Sequence, residues 1–433
     1  MANPSQHADL KAAARTICER LASAGYRAVW AGGCVRDLLL GRPFHDIDIA
    51  TSARPEEVVK LFPHTRQVGR SFGVVLVEQG GHWFEVATFR EDLDYRDGRR
   101  PVGVRFADEV ADARRRDFTI NGMFYDPLAD EVRDHIGGRA DLAARQVRAI
   151  GEPRQRFTED RLRMLRAVRF AATLDFEIEP TTAAAIREFA PTVTAVAAER
   201  LRDELTRLWL EAVRPGAALR QLEALALLSA LLPEVAALRG LPHAAEHHPE
   251  GDVFEHTASM LDLLERRTAA LAWAVLLHDI GKAAVYDANR PLSYPRHDKA
   301  GADLAAGVMA RFRFPKRLAA EIVTCVQSHM RYHSIPRMRL ARLRRWMADP
   351  AFDTGLELHR LDMAVRGADC AACHRVEEVR RTLATEAAVP AALIRGDDLL
   401  ALGVPPGREL GRWLRRAMDR QLETPGITRE ALL

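Results

Sequence analysis

The chain has 433 residues, 48% of them hydrophobic and 28% charged, with a net charge of +3. That length exceeds a single core and implies about two to four domains, and the composition is globular rather than disordered. The most apolar run, residues 271–277, is too short to cross a bilayer, and Gln6, His7, Asp9, Lys11 and Arg15 are unlike a signal peptide, so a cytoplasmic protein with no membrane partner is expected.

In chain order, the first elements are a short buried strand at 26–31, the pair Gly32-Gly33, and a helix over 34–40 closed by Gly41. Glycines at a helix start let an anion approach backbone N–H groups, and the helix dipole favours it there. A strand over 46–50 follows. Its period of two points Asp46 and Asp48 to one face and Ile47 and Ile49 inward. Further strands are expected at 73–78, 83–88 and 102–106, with helical patterns between them. Glu85, on the alternating strand 83–88, can stand beside Asp46 and Asp48; taken alone it reads as an edge-strand acid. Three carboxylates can hold two Mg²⁺ ions for in-line displacement at phosphorus, one activating a 3′-hydroxyl and one neutralising a triphosphate.

Arg115-Arg116-Asp117 with Asn121 combines phosphate-clamping guanidinium groups with groups able to hydrogen-bond ribose hydroxyls, although Asp117 also suits a capped helix start. From about residue 155 the pattern is helical and punctuated by prolines. Glu159-Asp160 and Arg163 are expected to open a helix, where i,i+4 spacing allows an ordinary surface ion pair. They also allow base reading. An Asp acceptor beside an Arg donor complements the amino group and ring nitrogen of cytosine and adenine, and leaves guanine and uracil mismatched. Five lysines stand against 58 arginines, and the arginine-rich middle makes Arg166, Arg169, Arg200 and Arg202 candidates for RNA phosphate contact.

In the helical half, His256, His278-Asp279 and Asp362 can gather a divalent transition metal from separate helices. His297 and His329 are open to a second metal, to substrate contact or to a structural role. The five cysteines do not read as a disulfide framework, and Cys370-Ala-Ala-Cys373-His374 matches a haem-attachment pattern by accident, within a helical stretch. The tail carries a Gly403–Gly407 turn between two helical patterns.

Taken together, Gly32-Gly33-Cys34-Val35-Arg36-Asp37, Asp46-Ile47-Asp48, Glu85, Arg115-Arg116-Asp117, Glu159-Asp160 with Arg163, and Glu199-Arg200 to Glu204 resemble the ordered motifs of class II tRNA nucleotidyltransferases. That family includes CCA-adding enzymes, A-adding enzymes and bacterial poly(A) polymerases. The resemblance implies catalytic, metal-holding Asp46, Asp48 and Glu85. It implies nucleotide contacts from Gly32, Gly33, Arg36, Arg115, Arg116, Asp117, Asn121, Glu159, Asp160 and Arg163. Residues 68–75 look like the strand of CCA-type members, and 94–101 like the loop of enzymes that add the final A. Residues 250–365 resemble the HD domain fused to some bacterial members, which implies phosphatase and 2′,3′-cyclic phosphodiesterase activity at His256, His278, Asp279 and Asp362.

The expected architecture is α+β: a nucleotidyltransferase-type mixed-sheet head over 1–150, a helical neck and body over 151–245, an HD domain over 246–375 and a helical tail over 376–433. The expected function is template-independent addition of CCA, or its terminal A, to tRNA 3′ ends from CTP and ATP. An A-adding enzyme, a poly(A) polymerase, and an HD nucleotidase or phosphodiesterase with an RNA-binding head are the alternatives.

Overall fold

Helix α1 (Pro4–Ser23) places Ala14, Ile17, Cys18 and Leu21 at helical spacing, and all four are fully buried. The computed structural model describes residues 4–67, 73–93, 103–243, 251–384 and 386–432. The loop expected at 94–101 and most of the strand expected at 68–75 lie outside these. Among the described residues, no helix is long and apolar enough to cross a membrane.

The head sheet has seven strands in the order β3-β4-β5-β2-β1-β8-β9. They are β1 (Ala28–Ala31), β2 (Asp48–Thr51), β3 (Thr65–Gln67), β4 (Val74–Gln79), β5 (His82–Thr88), β8 (Phe124–Asp126) and β9 (Glu131–Arg133), with a separate hairpin of β6 (Arg90–Asp92) and β7 (Val104–Phe106). Only β2 and β5 run parallel in the large sheet, so it is mixed, as expected. Val29, Ile49, Phe84, Val86 and Phe124 fill its core. Strand β2 begins two residues later than the sequence pattern suggests. Asp46 therefore precedes the strand, held between buried Phe44 and Ile47.

Helix α2 (Gly33–Leu39) follows β1, and α3 (Pro55–Leu61) and α4 (Glu109–Arg115) pack around the sheet. The neck continues with α5 (Gly138–Ala143), α6 (Pro153–Glu159), α7 (Leu162–Leu174), α8 (Pro180–Phe189) and α9 (Ala198–Glu211). Helix α6 ends at Glu159 and Asp160 caps it, so the expected single helix start is in fact a break between two helices. All of this belongs to one unit, Met1–Val213 with Gln221–Leu231.

The second unit, Arg214–Arg220 with Leu232–Leu433, is helical. Helices α10 (Val253–Asp262), α11 (Ala269–Leu277), α12 (His297–Arg311), α13 (Lys316–Ser328) and α14 (Phe352–Val365) bury Phe254, Trp273, Val326 and Phe352. A later helix, α15 (Ala371–Leu383), opens at Cys370, which is disulfide-bonded to Cys373, while Cys18, Cys34 and Cys325 are free and buried. No framework staples the chain, but the accidental haem pattern closes one local bridge.

Candidate active site

Gly32 opens the head site. Its φ of +79° lies in the left-handed region, and a Cβ there would stand 3.3 Å from Arg116 Nη1 and 3.8 Å from Asp48 Oδ2. The positive φ is what calls for glycine there. The parallel register Ile49↔Val86 sets Asp48 beside Glu85 on the next strand. Burial first, then the charges of Glu85 and Asp46, push the Asp48 carboxyl up to about 6, while Arg116 pulls the other way. Asp46, Asp48 and Glu85 act on one another through charge, and carboxylate oxygens are the donor type a hard divalent ion takes.

Arg115 and Arg116 are not loose. Asp112, 1% exposed, accepts from Arg115 Nη2 at 2.7 Å through Oδ1 and from Arg116 Nη2 at 2.9 Å through Oδ2. Burial works against the Asp112 charge, but the two guanidinium groups hold its carboxyl below the usual range. Sequence reasoning passed over Asp112; its one signal is the i,i+3 and i,i+4 spacing to both arginines. Arg36 donates to Asn121 Oδ1 at 2.7 Å and pairs with Asp37 at 2.8 Å, and Asn121 Nδ2 reaches Asp117 Oδ1 at 3.3 Å. Asp117 also accepts from Arg166 Nη2 at 2.6 Å. Burial opposes its ionisation, yet Arg166 and Arg163 keep it lowered.

Glu159 bonds Arg163 Nη1 at 2.8 Å, the i,i+4 pair formed across the helix break, and Arg163 Nη2 donates to the Arg115 carbonyl at 3.2 Å. Asp160 is held by Arg200, with Nη2 to Oδ2 at 2.8 Å, and by the Leu162 N–H at 3.0 Å. A cavity of about 760 Å³ brings Gly32, Asp46, Asp48, Arg116, Asp160 and Arg163 onto one lining. Arg166 and Arg200 line it too. Arg169 lines it as well, 3% exposed and bound to Glu204 and Glu211, which brace α7 against α9; Arg202 pairs with Asp203 at 2.7 Å.

In the second unit, His278, His297 and His329 each direct Nδ1 at a backbone carbonyl three residues earlier, at 2.8, 2.8 and 2.7 Å. A proton on Nδ1 leaves Nε2 with its lone pair. Those Nε2 atoms converge on Asp279, at 3.1, 3.4 and 3.8 Å. Burial, with His278 and His297 nearby, lowers His329 to about 3, so its ring is neutral. Burial disfavours the Asp279 charge, but His278 and Lys282, whose Nζ is 2.6 Å away, hold it well below the carboxylate range. His256 Nε2 lies 3.2 Å from Asp362 Oδ1. Gly281 permits the close approach behind this cluster, since a Cβ would lie 2.0 Å from the His297 carbonyl. Two sets, His256–His278–Asp279 and Asp279–His297–His329, have donor atoms within 4.8 Å of one another. Buried imidazoles around one shared carboxylate fit a divalent transition ion.

Residues 28–148, which hold the mixed sheet and its carboxylates, match the poly A polymerase head domain. Residues 175–238 match the probable RNA and SrmB-binding site of polymerase A, and 253–369 match the HD domain. The chain is thus similar to poly A polymerases and CCA-adding enzymes over its head and neck, with an HD domain match after them. It is 46% identical over 193 residues to the CCA-adding enzyme of Streptococcus suis, covering 44% of this chain and 48% of that protein. With the CCA-adding enzyme of Enterococcus faecalis it shares 44% identity over 209 residues, 48% of this chain and 51% of the other. The chain thus spans about half the length of the curated relatives it matches. The structure of the Bacillus stearothermophilus CCA-adding enzyme in complex with CTP superposes with a TM-score of 0.68 at 29% identity, over 98% of this chain and 93% of that one. The Thermotoga maritima CCA-adding enzyme complexed with tRNA shares the fold, with a TM-score of 0.63 at 19% identity over 100% and 95% of the two chains.

Proposed function

We propose that the head adds CCA, or its terminal A, to tRNA 3′ ends from CTP and ATP without a template. The observation that carries this reading is one cavity lined by Asp46, Asp48, Arg116, Asp160 and Arg163 together. Asp46, Asp48 and Glu85 would hold Mg²⁺, which supplies charge neutralisation and an acidified 3′-hydroxyl. Arg116, oriented by Asp112, and Arg36 face the triphosphate, while Asp117 and Asn121 face the ribose. Asp160 and Arg163 read the base. Arg163 keeps Nε–H and one Nη2 hydrogen beyond its bonds to Glu159 and backbone carbonyls, and Asp160 Oδ2 keeps a lone pair beyond Arg200. One acceptor beside free donors suits the edges of cytosine and adenine.

For the second unit the reading is a phosphohydrolase or 2′,3′-cyclic phosphodiesterase, supported by the histidines converging on Asp279. His256, His278, Asp279 and Asp362 would hold a transition ion, with His297 and His329 completing a second position; the ion supplies a nucleophilic hydroxide near neutral pH.

Purified protein with tRNA ending before CCA, tRNA ending in CC and an unrelated RNA tests the head. Incorporation of C and then A on the first supports CCA addition, ATP use on the second alone makes it an A-adding enzyme, and tails on the third make it a poly(A) polymerase. Asp46→Ala with Asp48→Ala should abolish addition and spare phosphatase activity, and His278→Ala with Asp279→Ala should do the reverse. A purified chain that adds nothing to any RNA but keeps phosphodiesterase activity leaves the head as an RNA-binding module.

A further inference from the structure

A second constellation lies beside the inner histidines. His359 and Asp362 are three residues apart on α14, 4% and 5% exposed, so they project from one helix face. His333, from the 3₁₀ segment His329–Arg337 that packs on α14, turns its ring onto His359 with centroids 4.6 Å apart and planes at 86°. One donor atom from each of His333, His359 and Asp362 lies within 4.8 Å of the others. A carboxylate and an imidazole at i,i+3, joined by a donor from a neighbouring element, is the arrangement by which helical bundles chelate metals. Side-chain rotation of about 1 Å brings such donors to the ~3–4 Å spacing of an ion bonded at ~2.0–2.2 Å.

Asp362 links this set to the inner centre, because its Oδ1 is 3.2 Å from His256 Nε2. Asp279 plays the same part on the other side, shared between His256–His278 and His297–His329. We propose that His333, His359 and Asp362 form an additional site for a divalent transition ion on the outer side of the HD centre, with Asp362 as the shared carboxylate. Two imidazoles favour Zn²⁺, Co²⁺ or Ni²⁺ over Mg²⁺. The exposed ring of His333 gives the ion its route from solvent. Arg366 competes for the position, since its Nη2 donates to both Asp362 oxygens at 2.8 and 3.0 Å. Its side chain is 25% exposed, so it can swing outward while the ion takes over as counter-charge. The assignment takes only Asp362 from the metal centre proposed above.

Cobalt titration of the full chain in excess Mg²⁺, which occupies hard carboxylate sites, with elemental analysis after dialysis, tests it. His333→Ala with His359→Ala should bind one Co²⁺ fewer per chain than the parent, with the absorption of the inner histidine–cobalt centre retained. His333→Ala alone, at an exposed ring that folding does not need, should weaken that same step about tenfold or more. Equal stoichiometry and affinity in the parent and both variants overturns the proposal. His278→Ala with His297→Ala should remove the inner ions and leave the outer step; if it changes nothing, the inner reading fails and the His333 comparison still decides the outer one.

Discussion

Asp160 accepts from both terminal nitrogens of Arg200, Oδ2 from Nη2 at 2.8 Å and Oδ1 from Nη1 at 3.4 Å, across 40 residues of chain. The fork fixes the plane of the carboxylate that the proposed base reading uses. Arg200→Ala removes a charged hydrogen bond of ~1.5–3 kcal/mol, so KM for both CTP and ATP should rise about tenfold or more, with KM for tRNA nearly unchanged. Arg200→Lys should not restore it, because an ammonium cannot make the fork. Steady-state kinetics decide between roles. A rise confined to the tRNA KM, with steep salt dependence, would make Arg200 a phosphate contact instead.

Asp48 is held near 6 by burial, then by Glu85 and Asp46. Its ionised form is disfavoured in the fold, so the stability it contributes is complete below its ordinary value of 3.8 and is lost as pH rises through about 6. Asp48→Asn is neutral throughout. In chelator it should melt above the parent at about pH 7 and level with it near pH 4, and Mg²⁺ should raise the parent's melting temperature more than the variant's. Thermal melts across that range check the sign; a parent that melts higher at neutral pH in chelator contradicts it.

Asp112 anchors two arginines from a position 1% exposed. Asp112→Asn keeps the shape and removes the charge, and should cost ~1–3 kcal/mol of stability. The KM for nucleotide should rise with it, because Arg115 and Arg116 lose the bonds that aim them. Asp112→Glu should recover stability only in part, since the longer carboxylate cannot keep both forks in place. A variant with normal nucleotide KM and normal melting would remove Asp112 from this role.

Arg169 and Glu204 form a pair with side chains 4% and 6% exposed. Glu204→Ala leaves a buried guanidinium with Glu211 as its remaining acid, and should cost about 3 kcal/mol, at the low end for a broken buried pair. That corresponds to a melting temperature lower by roughly 6–12 °C for a unit of this size. Arg169→Met, which keeps the stem and removes the charge, should cost less when combined with Glu204→Leu than Glu204→Ala does alone. Calorimetry of the two variants measures it.

Much of the head was legible in advance because its signals are local. The period of two placed Ile49 inward and Asp48 outward, and Gly32 marked a turn that only glycine fits. The two-residue error at Asp46 is of the same kind: Asp-x-Asp looks like strand from its first residue, but pairing with β1 starts only at Asp48. Glu159-Asp160 was read as one helix start, whereas Asp160 has extended backbone that ends α6 before α7 begins. In the second unit, His278-Asp279 stood out by adjacency. His333 and His359 did not, because an exposed and a buried histidine 26 positions apart carry no shared local pattern.

By itself the sequence determined which chemistry was available: a glycine turn, three acids in order, an acid–arginine pair and a set of histidines, all encoded as residue types at short spacing. Only the tertiary structure decided which of 58 arginines face the cavity and which are engaged elsewhere. Arg166 reaches Asp117 across 49 residues, Arg36 reaches Asn121 across 85, and Arg169 is tied to Glu204 across 35. The reason is the short reach of the forces involved. An ion pair acts when its atoms come within about 3–4 Å and water is excluded, and packing alone sets both conditions.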